Sequence, residues 1–224
     1  MRFSALLFDC DGVLVDSEPI TNGVLRDMLH ELGWMLSTQE CVHYFIGRAV
    51  KDQRELIEHH TRQPLTEDWL SAFRERRNQA LEARLQAVPH IHAAMAALQP
   101  LFDQRMACAS GADRFKVEMQ LKKVALHDYF AGRIFSGHEM PRTKPAPDVY
   151  LAAAQHLATP TAACLVIEDT PTGVTAGVAA GAEVWAYVPE GPQDTVRNTE
   201  ALLQAGAQRV FHSMADLPRL ILDA

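Results

Sequence analysis

The chain has 224 residues, enough for one α/β core, a modest insertion and a sizeable buried interior. Its formal net charge of −7 excludes a nucleic-acid binder that relies on a basic face, so an anionic substrate must be drawn in by local cations or a metal. No run reaches the ~20 apolar residues that cross a bilayer and no basic-then-apolar leader opens the chain, so the expectation is a cytoplasmic protein with no membrane partner.

The apolar run Ala5 to Phe8 predicts a fully buried strand, ending at Asp9-Cys10-Asp11-Gly12. Residues 15–19 read as a linker, with Pro19 in the first turn of a helix. Val24, Leu25, Met28, Leu29 and Leu32 recur at helical spacing, and Gly33 ends that helix. Further helices are expected from Ser37-Thr38 to before Gly47, over 50–60, and from Thr66 to about 88. The charge run on the last of these reads as a solvated face. Four helices with no strand between them do not belong inside a wound sheet, so residues 16–88 are expected as a separate four-helix bundle.

Pro89 marks the return. From there helices and strands alternate: helix 90–99, strand 105–109, helix 113–124, strand 134–135, helix 148–157, strand 164–167, helix 171–181, strand 184–187, helix 194–205, strand 210–211 and helix 217–222. The fold class is therefore α/β, a Rossmann-like parallel sheet over residues 1–15 and 89–224 with an inserted all-helical cap. The two crossings, 15–19 and 86–89, are natural hinges for a lid.

Side chains at i and i+2 of an extended chain share a face, which puts Asp9 and Asp11 on the same side as the first strand ends. Two such carboxylates repel unless a cation sits between them or one keeps its proton. Either outcome suits chemistry, as a hard-metal site or as a nucleophile beside a proton donor, although Asp-Gly is also a common turn signal. Three other polar points follow apolar runs or sit in loops: Ser110-Gly111, Thr143-Lys144-Pro145 and Glu168-Asp169. Each has a plainer reading, as a helix cap, a surface lysine and acids at a helix start. All four would meet outside the carboxyl ends of a parallel sheet.

Cys10, Cys41, Cys108 and Cys164 read as buried free thiols in a reducing compartment. His59-His60 and His90-x-His92 lack the spacing of a helical zinc site. Gly173, Gly177 and Gly181 read as a close-packing helix face against the sheet rather than a membrane motif.

The run D-C-D-G-V-L-V-D-S-E, then A-S-G, T-K-P-A-P-D and I-E-D-T-P-T-G-V, resembles the haloacid dehalogenase superfamily of phosphohydrolases. More narrowly it is similar to the branch of sugar phosphatases and β-phosphoglucomutases that carries a helical cap. The resemblance covers essentially the whole chain. It implies that Asp9 is the nucleophile of an aspartyl-phosphate mechanism, Asp11 the general acid and base, and Lys144 the cation between phosphate and Asp9. Ser110 and Gly111 would bind phosphate together with Lys144. Mg²⁺ would be held by Asp9, the Asp11 backbone carbonyl and Asp169, with Glu168 as a direct or outer partner.

Cap loops select the substrate, and Gly47, Arg48 and Lys51 are the residues expected to face the site. Mutase relatives carry a cap histidine and a cap arginine where this chain has Thr21 and Val50. These departures favour a phosphatase acting on a small phosphorylated sugar or sugar acid, as a monomer or weak dimer. A phosphosugar mutase and a non-catalytic phosphometabolite-binding protein are the alternatives.

Overall fold

The computed structural model describes residues 2–45, 49–189 and 199–224. The chain divides into two compact units, Met1–Asp16 with Gln86–Ala224, and Ser17–Leu85.

The first unit is built on six strands: β1 (Ala5–Phe8), β2 (Met106–Ser110), β3 (Ile134–Ser136), β4 (Cys164–Glu168), β5 (Glu183–Tyr187) and β6 (Arg209–Phe211). They form one parallel sheet in the order β3-β2-β1-β4-β5-β6. Every residue of β1, β2 and β4 is buried, because helices cover both faces, so these strands read as continuous apolar runs without alternation. The helices are α5 (Ile91–Phe102), α6 (Arg114–Lys123), α7 (Asp148–His156), α8 (Pro171–Ala179), α9 (Thr199–Gln204) and α10 (Leu217–Leu222).

The order matters for function. From the central β1 the chain builds outward to β2 and β3 on one side and to β4, β5 and β6 on the other. A parallel sheet opens a crevice at such a switch point, outside the carboxyl ends of the strands. The register sets the level: Phe8 lies opposite Cys108 of β2 and Ile167 of β4. The first residues past the ends of β1, β2 and β4 therefore share one rim. The Asp9 N–H donates to the Ile167 carbonyl at 3.0 Å, which fixes the start of the β1 loop to β4.

The second unit contains α1 (Glu18–Glu31), α2 (Thr38–Phe45), α3 (Arg54–Thr61) and α4 (Glu67–Arg84). Its core holds Leu25, Leu29, Phe45, Ile57, Leu70 and Phe73. The helix expected over 50–60 is split: a 3-10 turn, Val50–Gln53, precedes α3. The ring of His60 stacks on Trp34, with centroids 4.2 Å apart, and so does packing work. Gly47 and Arg48 lie outside the described residues, as does 194–198 of the helix expected over 194–205.

Two details depart from the sequence reading. Helix α5 runs through Pro100 to Phe102 instead of stopping at 99; near a helix end proline forfeits one N–H bond, and the Asp103 N–H still reaches the Gln99 carbonyl at 2.7 Å. Gly181 follows α8 at φ +83 and closes the helix, whereas Gly173 and Gly177 lie on the packed face. All four cysteines are buried and free. No helix among the described residues is long and apolar enough to cross a membrane.

Candidate active site

The site begins where β1 ends. Gly12 sits at φ +76 and donates to the Val15 carbonyl at 2.8 Å, while the Cys10 carbonyl accepts from Leu14 at 2.9 Å and Val15 at 3.1 Å. This tight turn needs a residue without Cβ at position 12, so D-x-D-G is a turn signal and an acid pair at once. The outgoing and returning chains are tied just beyond it. Asp16 N–H donates to the Gln86 carbonyl at 3.0 Å, and Val88 N–H to the Leu14 carbonyl at 3.1 Å.

Lys144 is the hub. It comes from the loop before α7, yet its side chain is only 8% exposed. Its Nζ donates to Asp9 Oδ1 at 2.7 Å, Glu168 Oε1 at 2.7 Å, the Ala109 carbonyl at 2.9 Å and the Tyr150 hydroxyl at 2.9 Å. One loop residue thus joins the ends of β1, β2 and β4, and the reading of Lys144 as a surface lysine is excluded. Burial opposes its charge, but Asp9 and Glu168 outweigh burial and hold its pKa well above the usual lysine value. Burial also dominates at Asp9: it pushes the carboxyl up to about 7 against the pull of Lys144, with Glu168 and Asp11 adding to the rise.

Glu168 ends β4 and has every reason to stay where it is. Its Oε1 accepts from Lys144 and from the Tyr150 hydroxyl at 2.6 Å. Its Oε2 accepts from Asp169 N–H at 3.0 Å, Thr170 N–H at 3.3 Å and the Thr170 hydroxyl at 3.3 Å. Helix α8 is capped by Thr170, which accepts from Gly173 N–H at 3.1 Å. A β-carbon added to Gly173 would overlap the Glu168 carboxylate. Gly173→Ala is therefore expected to cost about 1–3 kcal/mol by overpacking, and to lower turnover at least roughly tenfold by displacing the Lys144 anchor. Thermal unfolding and a phosphatase assay check both; an unchanged melting temperature would contradict the packing.

Ser110 closes β2 and is buried. Its hydroxyl accepts from Ala112 N–H at 3.1 Å. It does not cap α6; Asp113 does, accepting from Lys116 N–H at 2.9 Å. A β-carbon on Gly111 would touch the aliphatic stem of Lys144 at 4.0 Å, which places the 110–111 segment beside the hub.

One carboxylate oxygen from each of Asp9, Glu168 and Asp169 falls within 4.8 Å of the others, and all three residues are buried. An all-oxygen cluster of this size fits a hard divalent cation. Since Glu168 already accepts five hydrogen bonds, Asp9 and Asp169 are the better placed donors. The Asp11 carboxylate is engaged elsewhere: Lys116 Nζ contacts both of its oxygens at 2.8 Å, and Gln120 Nε2 donates to Oδ1 at 2.9 Å.

The structure thus brings together Asp9, Ser110, Gly111, Lys144, Glu168 and Asp169, with Asp11 two residues from Asp9. Lys51 is exposed in the helical unit, and Arg142 forms an exposed pair with Asp148 at 2.9 Å. Sequence reasoning missed Tyr150, Lys116 and Gln120. The available signal for the last two is their i, i+4 spacing on α6, each one position before a buried Val117 or Leu121.

A doubly wound parallel sheet with a lysine-bridged carboxylate cluster at its switch point defines an α/β enzyme. The haloacid dehalogenase-like hydrolase family model matches residues 3–181. The 6-phosphogluconate phosphatase of Escherichia coli is 28% identical over 188 residues, covering 83% of each chain. Hexitol phosphatase A of the same organism is 29% identical and covers 97% of this chain and 94% of its own. A crystal structure of a family hydrolase from Deinococcus radiodurans, with bound phosphate and sodium, superposes with a TM-score of 0.82 at 32% identity, covering 99% of this chain and 96% of that one. The chain belongs to the haloacid dehalogenase-like hydrolases, and both of these curated relatives are named phosphatases.

Proposed function

We propose that the protein is a Mg²⁺-dependent phosphatase that hydrolyses a small phosphorylated sugar or sugar acid through an aspartyl-phosphate on Asp9. The observation that carries this reading is the Lys144 hub, which sets a buried Asp9 beside Asp169 at the sheet's rim. The substrate class is supported by the named relatives, which act on 6-phosphogluconate and hexitol phosphates by their names.

An Asp9 oxygen attacks phosphorus in line with the leaving alcohol; the new O–P bond forms as the ester P–O bond breaks. In its protonated form Asp11 gives its proton to the leaving oxygen and becomes the carboxylate that accepts from Lys116 and Gln120; it then takes a proton from the water that cleaves the aspartyl-phosphate, releasing inorganic phosphate and restoring Asp9. Lys144 offsets charge on the transferring group, and Ser110 with the backbone N–H groups after it receives phosphoryl oxygens. Glu168 and Tyr150 keep Lys144 in place. Asp9, the Asp11 carbonyl and Asp169 would hold Mg²⁺, which when bound offsets the repulsion between the incoming carboxylate and the phosphate dianion. Residues 16–88 serve as the cap, with Gly47, Arg48 and Lys51 selecting the substrate. Thr21 and Val50, in place of the mutase pattern, support hydrolysis over isomerisation.

The test is a panel of phosphate esters that includes 6-phosphogluconate and hexitol phosphates. Phosphate release is expected with Mg²⁺, falling below about 1% of that rate in EDTA and returning when Mg²⁺ is restored. Full activity in EDTA, or inertness across the panel, would overturn the reading. Glucose 1-phosphate with a trace of its 1,6-bisphosphate is expected to yield no efficient isomerisation.

A further inference from the structure

Asp11 is held by two side chains that none of the motifs contain. Lys116 is buried, and Gln120 is 0% exposed. A buried ammonium is expensive unless paired, so the bidentate contact of Lys116 with Asp11 is what permits its burial. Gln120 completes the set: its Nε2 donates to Asp11, and its Oε1 accepts a long contact from the Cys10 thiol at 3.7 Å. Both residues sit on one face of α6, a helix that starts shortly after the Ser110-Gly111 turn and is capped by Asp113. Meanwhile Phe115, one residue before Lys116, is 66% exposed. The helix turns a phenyl ring to solvent and a lysine inward, an inversion that packing alone does not favour.

We infer that Lys116 and Gln120 are positioning residues for the proton-transferring carboxylate of Asp11. This rests on the reading of Asp11 as the acid and base of the reaction. A carboxylate on a loop samples several rotamers, and proton transfer needs one of them. Two donors from a rigid helix remove that freedom and hold the carboxylate that proton transfer to the leaving oxygen leaves behind. The same helix follows the phosphate-binding turn, so the proton donor and the phosphoryl group are referenced to one element. Lys144 and Lys116 divide the work: one holds the nucleophile, the other the proton carrier.

Proton delivery matters for a basic leaving group and little for a weakly basic one, and this separates positioning from a merely structural ion pair. The experiment measures single-turnover alcohol release by the intact Mg²⁺-loaded enzyme, with phenyl phosphate and p-nitrophenyl phosphate as probes. Lys116→Met is expected to slow phenol release roughly 10- to 100-fold and p-nitrophenol release no more than about 3-fold. In an Asp11→Asn background the same substitution is expected to add less than about 2-fold, because residues that act as one unit are not additive. Gln120→Met, which keeps the helix lysine, is expected to show a smaller split in the same direction and carries the test if the lysine variant does not fold. Equal slowing of both esters by both variants, or full additivity with Asp11→Asn, would overturn the inference. If Asp11→Asn itself shows no split, it is the assignment of Asp11 as the acid that fails.

Discussion

Replacing Asp9 with Asn is expected to abolish turnover, by at least about 10⁴-fold, while the protein remains folded. The amide has no charged oxygen to attack phosphorus and cannot form the acyl phosphate. The fold does not depend on the lost charge. Asp9 is buried between Lys144 and Glu168, and with Asn in its place Lys144 still pairs with Glu168 at 2.7 Å. The sign of the stability change follows from linkage. Burial raises the Asp9 pKa from 3.8 to about 7, so between those values the native state binds more protons than the unfolded chain. The metal-free wild type therefore loses stability as pH rises through that window, and the Asn variant does not. Thermal unfolding in EDTA is expected to favour Asp9→Asn more at pH 8 than at pH 5. A variant that melts lower at both pH values, or that keeps steady-state activity, contradicts the assignment. An active-site residue that strains the fold is what a site built for reaction rather than stability requires.

The second large effect is at Lys144. Lys144→Met removes the only cation within hydrogen-bond reach of both Asp9 and Glu168 among the described residues. Two buried carboxylates are then left facing each other, and breaking a buried pair in this way costs about 3–5 kcal/mol. For a chain of this size the melting temperature is expected to fall by roughly 10 °C. Turnover is expected to fall by at least about 10³-fold, since a preorganised cation beside the transferring phosphoryl group is lost. Arginine is no substitute here: its planar fork cannot reproduce four contacts converging on one small ammonium. A double variant, Lys144→Met with Glu168→Gln, is expected to regain part of the stability and none of the activity. Recovery of activity, or no recovery of stability, would show that Lys144 does something other than balance these acids.

Much of this was legible in the sequence because the site is written at strand ends. A buried parallel strand is an unbroken apolar run, and the first polar residue after it is conspicuous: Asp9 after β1, Ser110 at the end of β2, Glu168-Asp169 at the end of β4. The Pro-rich loop marked Lys144. What the sequence hid lies inside helices, where a polar residue on an apolar face looks like a surface residue. Lys116 and Gln120 sit one position before Val117 and Leu121, and only the position of α6 against the β1 loop shows that this edge of the stripe is buried. Tyr150 looks like core and is core, but its hydroxyl reaches Lys144 and Glu168. The crossings were also blurred. Their backbone pairing, Asp16 to Gln86 and Val88 to Leu14, leaves no mark in side-chain pattern, and it draws those residues into the sheet-containing unit. Capping was the other ambiguity, since Ser110 and Asp113 are equally good cap residues on paper, and the geometry gives the role to Asp113.

The central claim is that Asp9 becomes covalently phosphorylated. Rapid quench during turnover of a phosphate ester, followed by borohydride, reduces an aspartyl-phosphate to homoserine, which peptide mass spectrometry locates. The expected product is homoserine at position 9 alone, formed only when both ester and Mg²⁺ are present and absent from Asp9→Asn. Phosphate release at full rate with no homoserine at position 9, or with the modification at another carboxylate, would contradict the account.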